Sequence, residues 1–205
     1  MSKLGETKLT VQSGTLAKRL KALTGLTGEA KKAAEAFSKA DAKLQELAQR
    51  EGATEAQRDA LAEELVELDV ARDTLVHELA IALVASKLGP RLSPFKPFTQ
   101  HAPSALCKLT FASETKAVID LCANITKAKP PAPVRALVKA LLKENARVSA
   151  LLDKLDGPTT AHDEAMFARN RFMSEWYKSL SNLRVQLKAA LVGRPGAYQA
   201  LFARE

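Results

Sequence analysis

Two acidic residues and a histidine at four-residue spacing are the first candidates for chemistry in this sequence. Asp69, Asp73 and His77 fall about one helical turn apart, so a helix would present all three on one face. Carboxylate and imidazole groups arranged in this way can bind a divalent metal ion. The same spacing also describes an exposed polar face, and that is the interpretation we favour. We therefore expect no metal ion and no cofactor.

The patterns typical of other metal and nucleophile sites are missing. A carboxylate-bridged dimetal bundle has Glu three residues before its metal-binding His. In this chain those positions hold Thr, Phe and Thr, before His77, His101 and His162. Cys107 and Cys122 match neither a zinc spacing nor a disulfide framework, and we expect both to be buried as small apolar residues. These observations predict that the protein is not an enzyme and has no small-molecule substrate.

Two charged stripes of opposite sign are the most regular feature of the sequence. The basic stripe contains Arg135, Lys139, Lys143 and Arg147, and the acidic stripe contains Glu55, Asp59, Glu63 and Glu67. Steps of four residues advance about 400° around a helix, so each stripe is a shallow spiral about 18 Å long on one side. Both stripes flank apolar seams, as charged edge positions do in packed helices. We predict that both are partner-binding surfaces.

Opposite charge and equal spacing predict that the two stripes contact each other. In an up-down bundle, the helix with the acidic stripe and the helix with the basic stripe would be two apart in order. They would then run parallel but stand diagonally, where edge charges do not meet easily. The contact would therefore need an unusual topology within one chain, or it would form between subunits. The expected partner is a second copy of the chain or another helical protein.

The net charge of +8 suggests an anionic partner as an alternative. Residues 51–90 carry three Lys and Arg against nine Asp and Glu, whereas residues 91–150 carry ten against three. This distribution favours a non-catalytic structural or protein–protein interaction module that self-associates, because part of the basic charge can be neutralised within the protein. The alternative is a protein that binds nucleic acid weakly and without sequence preference through basic helical faces. A weaker alternative is a bundle that encloses a small molecule or opens on a membrane surface.

Composition and periodicity predict an all-α fold. Aromatic residues make up only 5% of the 205 residues, Ala and Leu are abundant, and no segment alternates as a strand does. We expect an elongated antiparallel bundle of four or five helices with coiled-coil-like packing. No apolar run approaches the ~20 residues of a membrane span, and the first residues lack the apolar stretch of a signal peptide. We therefore predict a cytoplasmic protein.

The helices are expected to be separated by clear local signals. The predicted helical ranges are 14–24, 29–50, 54–88, 104–127, 133–155 and 160–191. Thr54 with Gln57 three residues later forms a capping-box pattern, which predicts a new helix start. The segment GPTT, residues 157–160, predicts another break. We expect one domain over 1–205, with residues 1–13 flexible, 89–104 as a Pro-rich crossing loop and 192–205 as a C-terminal tail.

Two side chains on the predicted seams invite specific expectations. Trp176 shares a helical stripe with Met173 and Leu180, so we predict that it is buried in the core rather than free to stack on a base. Asn145 lies on a seam, where a buried amide destabilises the fold unless it is paired. It is therefore either a paired residue that fixes register or an amide turned to the rim.

Overall fold

The computed structural model of the chain describes residues 15–202. Its helices are α1, residues 15–22; α2, Gly28–Ala85; α3, Pro103–Leu106; α4, Phe111–Lys127; α5, Ala132–Ala190; and α6, Pro195–Phe202. No strand occurs in this described range. The predicted all-α bundle is therefore confirmed. The prediction of a flexible segment over residues 1–13 lies outside the described residues.

Two compact units divide the chain. The described residues of the first lie within Met1–Glu55 and Ala161–Glu205, and the second is Ala56–Thr160. Both long helices contribute to each unit, because α2 contains the boundary at residue 55 and α5 contains the one at residue 160. That residues 1–205 form a single domain stays a prediction.

The predicted break before Thr54 is absent, because α2 continues through it. The hydroxyl of Thr54 donates to the carbonyl oxygens of Arg50 at 3.1 Å and Glu51 at 2.9 Å, as it does inside a helix. A glycine within a helix costs only about 1 kcal/mol, so packing can carry the helix across Gly52. The buried side chain of Glu51 forms such a contact, an ion pair of 2.8 Å with Arg169 in the first unit. The predicted capping box is therefore wrong.

The predicted break at residues 157–160 is also wrong. Pro158 lies inside α5, which is continuous from Ala132 to Ala190. Proline lacks the amide hydrogen that would bond to the carbonyl four residues earlier, so an interior proline usually ends or kinks a helix. One residue further on, the hydroxyl of Thr159 donates to the carbonyl oxygen of Leu155 at 2.8 Å. The sequence therefore has a helix-breaking residue here, but α5 continues through it.

The predicted helix over residues 104–127 is instead two helices, α3 and α4. The side chain of Thr110 caps α4 by accepting the backbone N–H of Ser113 at 3.4 Å. The turn that results places Cys107 between the two helices. The Pro-rich segment before them consists of turns, and it is not merely a surface element, since Phe95 is fully buried in the core of the second unit.

In the second unit, α2 and α5 are antiparallel neighbours. Arg72 bonds to Asn145, while Leu65 and Leu68 pack with Val148 and Leu151, so the numbers rise on one helix as they fall on the other. The predicted parallel, diagonal arrangement of these segments is therefore wrong. The largest cluster of buried apolar residues in this unit also includes residues of α3, α4 and the segment before them.

In the first unit, Trp176 is 2% exposed, which confirms the prediction that it is buried. Its ring centroid lies 5.8 Å from that of Phe37, and its indole N–H donates to Asp41 at 3.2 Å. The C-terminal segment was predicted to be a tail, but residues 195–202 form α6 and Leu201 is buried in the same apolar cluster. The segment is helical because it packs against α1 in this cluster. Arg19 of α1 also donates to the carbonyl oxygen of Ala200 at 3.2 Å.

Candidate functional site

A fully buried arginine lies at the centre of the polar cluster in the second unit. Arg72 of α2 donates from Nη2 to Asp69 on its own helix and to Oε2 of Glu114 on α4 at 2.6 Å. From Nη1 it donates to the hydroxyl of Thr115 and to Oδ1 of Asn145, both at 3.2 Å. A buried charge destabilises a fold unless it is paired and hydrogen-bonded. These four partners, drawn from three helices, meet that requirement.

Asn145 joins α5 to this cluster. It is buried, and besides accepting from Arg72 it donates from Nδ2 to the backbone carbonyl oxygen of Thr115 at 3.0 Å. Of the two alternatives drawn from the sequence, the structure therefore shows the paired amide. Its partners lie within the chain, so it fixes the register of α5 against α2 and α4.

Next to Arg72 lies a group of potential metal ligands. Asp73, Cys107 and Glu114 each offer one donor atom, and these three atoms lie within 4.8 Å of one another. Nε2 of His77 lies 4.0 Å from Sγ of Cys107. Asp73 and His77 come from successive turns of α2, Cys107 from the turn after α3 and Glu114 from the first turn of α4. We call these four residues the Cys107 cluster.

The electrostatic environment of this cluster is negative. Burial raises the pKa of Glu114 to about 7; the charge of Arg72 opposes this increase, whereas the charges of Asp73 and Asp69 add to it. Burial also raises the pKa of the Cys107 thiol to about 12, together with the hydrogen bond and the charge of Asp73. Both groups are therefore harder to ionise here than in water, because they are buried near other acidic groups.

Three buried polar atoms of this region have no hydrogen-bond partner among the described residues. They are Oε1 of Glu114, Oδ1 of Asp73 and Nε of Arg72. An unpaired buried acceptor costs about 1–3 kcal/mol, so such atoms call for an explanation. Two of them belong to the Cys107 cluster. This arrangement can hold either a proton shared by two carboxyl groups or a cation.

The sequence predicted this site only in part. Asp73 and His77 share a face of α2, as predicted. Asp69 instead accepts a hydrogen bond from Arg72, and both aspartates are partly buried rather than on an exposed face. Cys107 was expected to be buried among apolar residues; it is instead half-buried and faces Asp73, whereas Cys122 is fully buried as expected. Cys107 and Glu114 lie more than 30 residues from Asp73, so no local spacing could have connected them.

The two charged stripes lie on the surface. All four residues of the basic stripe on α5 are exposed, as are Asp59, Glu63 and Glu67 on α2, whereas Glu55 is half-buried. Two stripe residues pair locally, Arg147 with Glu144 at 2.8 Å and Asp59 with Arg58 at 2.6 Å. Arg135 donates to the carbonyl oxygen of Pro130 at 2.9 Å. Among the described residues, none of Asp59, Glu63 and Glu67 forms an ion pair with the basic stripe.

The register of α2 and α5 explains why the stripes do not meet within the second unit. Because Arg72 is level with Asn145 in an antiparallel pair, Arg147 is level with about residue 70 of α2 and Arg135 with about residue 82. The acidic stripe ends at Glu67, before that range. Within the second unit the two stripes are therefore offset along the helices, and a contact between copies stays a prediction.

Comparison with known proteins identifies no relative of this chain. No protein-family model matches the chain, and no significant match is found among curated proteins or solved structures. Among residues 15–202, none of the helices combines the length and the apolar character needed to cross a membrane.

Proposed function

We propose that the protein is a non-catalytic helical-bundle interaction module that associates with a second copy of itself. The acidic face of α2 in one copy contacts the basic face of α5 in the other. The acidic face is formed by Asp59, Glu63, Val66, Glu67 and Val70, and the basic face by Lys139, Leu142, Lys143, Ala146 and Arg147. The observation that carries this proposal is that these two exposed faces are complementary in charge and lie at different levels within one chain.

Each face combines charge with exposed apolar surface. Val66 is 55% exposed and Val70 62% exposed, and both lie three or four residues from Glu63 or Glu67 on the same side of α2. Leu142 is 39% exposed and follows Lys139 by three residues on α5. Apolar contacts would supply affinity, while the charges would select the partner face and its orientation.

Single exposed ion pairs contribute only about 0–1 kcal/mol, so the charges act mainly through partner choice. Within the described residues, Glu63, Glu67, Lys139 and Lys143 have no ion-pair partner. Each stripe has one sign along its length, so either direction of approach places opposite charges together. Each copy carries both faces, as a symmetric homo-oligomer requires.

Sedimentation equilibrium of charge-reversal variants tests the proposal. We expect Lys139→Glu with Lys143→Glu, and separately Glu63→Lys with Glu67→Lys, to shift the wild-type oligomer towards monomer. Combining all four changes should restore association, because opposite charges again face each other. The matched control is Lys178→Glu with Lys188→Glu, which makes the same change of charge at exposed positions of α5 in the first unit and should leave association unchanged.

Two results would contradict self-association: a wild-type chain that stays monomeric, or a control that dissociates as far as the test variants. The nucleic-acid alternative is tested on the same proteins. A monomeric wild type that binds duplex DNA with sub-micromolar affinity at about 150 mM salt, and loses it on reversal of Lys139 and Lys143, would favour that alternative.

A further inference from the structure

The region around Arg72 carries more negative than positive charge. Asp69 and Glu114 form ion pairs with the single guanidinium of Arg72, and a carboxyl oxygen of Asp73 lies within 4.8 Å of one of Glu114. With all three ionised, two negative charges remain uncompensated in a partly buried site. Such an excess is strongly unfavourable away from water. A bound proton reduces this excess by one, and so does a divalent cation bound by Cys107, because the charge of the thiolate offsets one of its two charges.

The Cys107 cluster has the donor atoms of a metal site rather than those of an acidic surface patch. It offers one sulfur, one imidazole nitrogen and two carboxylate oxygens, supplied by Cys107, His77, Asp73 and Glu114. Mixed S, N and O donors suit a borderline-soft cation, and four of them suit a tetrahedral one. Ca²⁺ and Mg²⁺ prefer oxygen alone, so the donor set disfavours both.

We propose that Asp73, His77, Cys107 and Glu114 bind a Zn²⁺ ion. The second observation, beyond the grouping of the residues, is that the fully buried side chain of Glu114 has a free oxygen. Its Oε2 accepts from Arg72 at 2.6 Å, whereas its Oε1 has no hydrogen-bond partner within the described residues. Arg72 thus orients the carboxylate through one oxygen and leaves the other for the metal, as outer partners of metal ligands do.

The side chains must move closer together to bind the ion. Zn–S and Zn–O bonds of about 2.3 and 2.1 Å place the ligand atoms of a tetrahedral site about 3.3–3.7 Å apart. The donor atoms of Asp73, Cys107 and Glu114 lie at most 4.8 Å apart, and His77 lies 4.0 Å from Cys107 but outside that group of three. Side-chain rotation can close the difference of about 1 Å among the three grouped donors, and His77 must turn towards them. His77 is exposed and Cys107 half-buried, so the ion has a path from solvent.

Binding of the ion must release protons. The thiol of Cys107 loses its proton to solvent as the Zn–S bond forms, and Glu114 gives up any proton it holds in the same way. The alternative occupant of the site is a proton shared between Glu114 and Asp73, which would also satisfy both free oxygens. Metal titrations with proton counting separate these alternatives.

The first test uses Co²⁺ as a spectroscopic substitute for Zn²⁺ in the chelator-treated full chain. We expect one Co²⁺ per chain, a thiolate-to-cobalt charge-transfer band, intense visible bands of tetrahedral cobalt, and displacement of all of them by Zn²⁺. Titration with Zn²⁺ in weak buffer should release at least one proton per ion. No thiolate band, or occupancy well below one ion per chain, would overturn the proposal in favour of the shared proton.

Variants identify the ligands. Cys107→Ala should remove the thiolate band, and Cys107→Ala or His77→Asn should weaken Zn²⁺ binding at least about 100-fold, since even outer partners of ligands contribute 10–100-fold. The matched controls, Cys122→Ala and His101→Asn, should retain the band and the affinity. Equal effects of test and control variants would contradict the assignment.

A measurement on the wild-type chain avoids dependence on whether the variants fold. Zn²⁺ should slow the reaction of Cys107 with a thiol reagent and raise the melting temperature, because the ion binds the folded state. Mass spectrometry of the labelled protein locates the protected cysteine. Unchanged labelling of Cys107 at saturating Zn²⁺ would overturn the site.

Discussion

Oε2 of Glu114 lies 2.6 Å from Nη2 of Arg72, and neither side chain is exposed to solvent. This pair links α4 to α2 inside the second unit. Because both groups are removed from water, the loss of one partner leaves the other charge buried and unpaired. The pair is therefore more important for stability than the exposed ion pairs of the same unit.

We expect Arg72→Met to lower the free energy of unfolding of the metal-free protein by about 3–5 kcal/mol, because it leaves Glu114 and Asp69 without their cation. Urea denaturation followed by circular dichroism measures this loss. Adding Glu114→Gln to Arg72→Met should recover part of it. The matched control Arg147→Met, at a side chain that is 56% exposed, should change stability by less than about 1 kcal/mol. Equal effects at the two positions would contradict the role of the buried pair.

The hydrogen bond from the indole of Trp176 to Asp41 should contribute to the stability of the fold. Asp41→Ala removes the acceptor of the indole N–H and leaves a buried donor unpaired, which should cost about 1–3 kcal/mol. Asp41→Asn keeps an acceptor and should cost less. Urea denaturation followed by Trp fluorescence measures both. Glu35→Ala, at an exposed position of α2, is the control and should have little effect; a loss as large as that of Asp41→Ala would contradict the prediction.

Two glycines should respond to alanine in opposite directions. A Cβ at Gly89 would lie 2.1 Å from the carbonyl oxygen of Pro94, a backbone atom that cannot easily move, so Gly89→Ala should destabilise by about 1–3 kcal/mol. At Gly52, inside α2, a Cβ meets no atom within 4 Å, and Gly52→Ala should stabilise by about 0.5–1 kcal/mol. Melting temperatures of the two variants give the signs. A stabilising Gly89→Ala would show that Pro94 does not approach this closely.

The continuity of α5 across Pro158 can be tested directly. Within a helix, alanine is about 3 kcal/mol more favourable than proline, so Pro158→Ala should raise the free energy of unfolding by up to that amount. Pro133 lies in the first turn, where proline is well tolerated, and Pro133→Ala should have a much smaller effect. If residues 157–160 instead formed the break that the sequence suggests, Pro158→Ala would give no such gain.

The sequence predictions were correct where local periodicity determines the structure, and wrong where packing between distant residues determines it. Helix periodicity placed Trp176 in the core and Asn145 on a seam, and both residues are buried. The helix boundaries near Gly52 and Pro158 were wrong, because unfavourable terms of about 1–3 kcal/mol there are overcome by packing along α2 and α5. Local signals carry no information about that packing.

The candidate site was less predictable for a related reason. The shared face of Asp73 and His77 follows from helix periodicity. Cys107 and Glu114 join them only because the turn after α3 and the start of α4 pack against α2. The half-burial of Cys107 could not be separated from ordinary core burial, since both are common for a free cysteine.

The division of the chain has a consequence for synthesis on the ribosome. The second unit is one uninterrupted segment, Ala56–Thr160, so all its residues have been made before residue 161 is added. The first unit depends on partners such as Asp41 and Trp176, which lie 135 residues apart. The early residues of α2 must therefore wait for the end of α5 before they can bury their apolar face. During that interval the nascent chain exposes an unpaired amphipathic helix, which is the state most open to chaperones and to premature association.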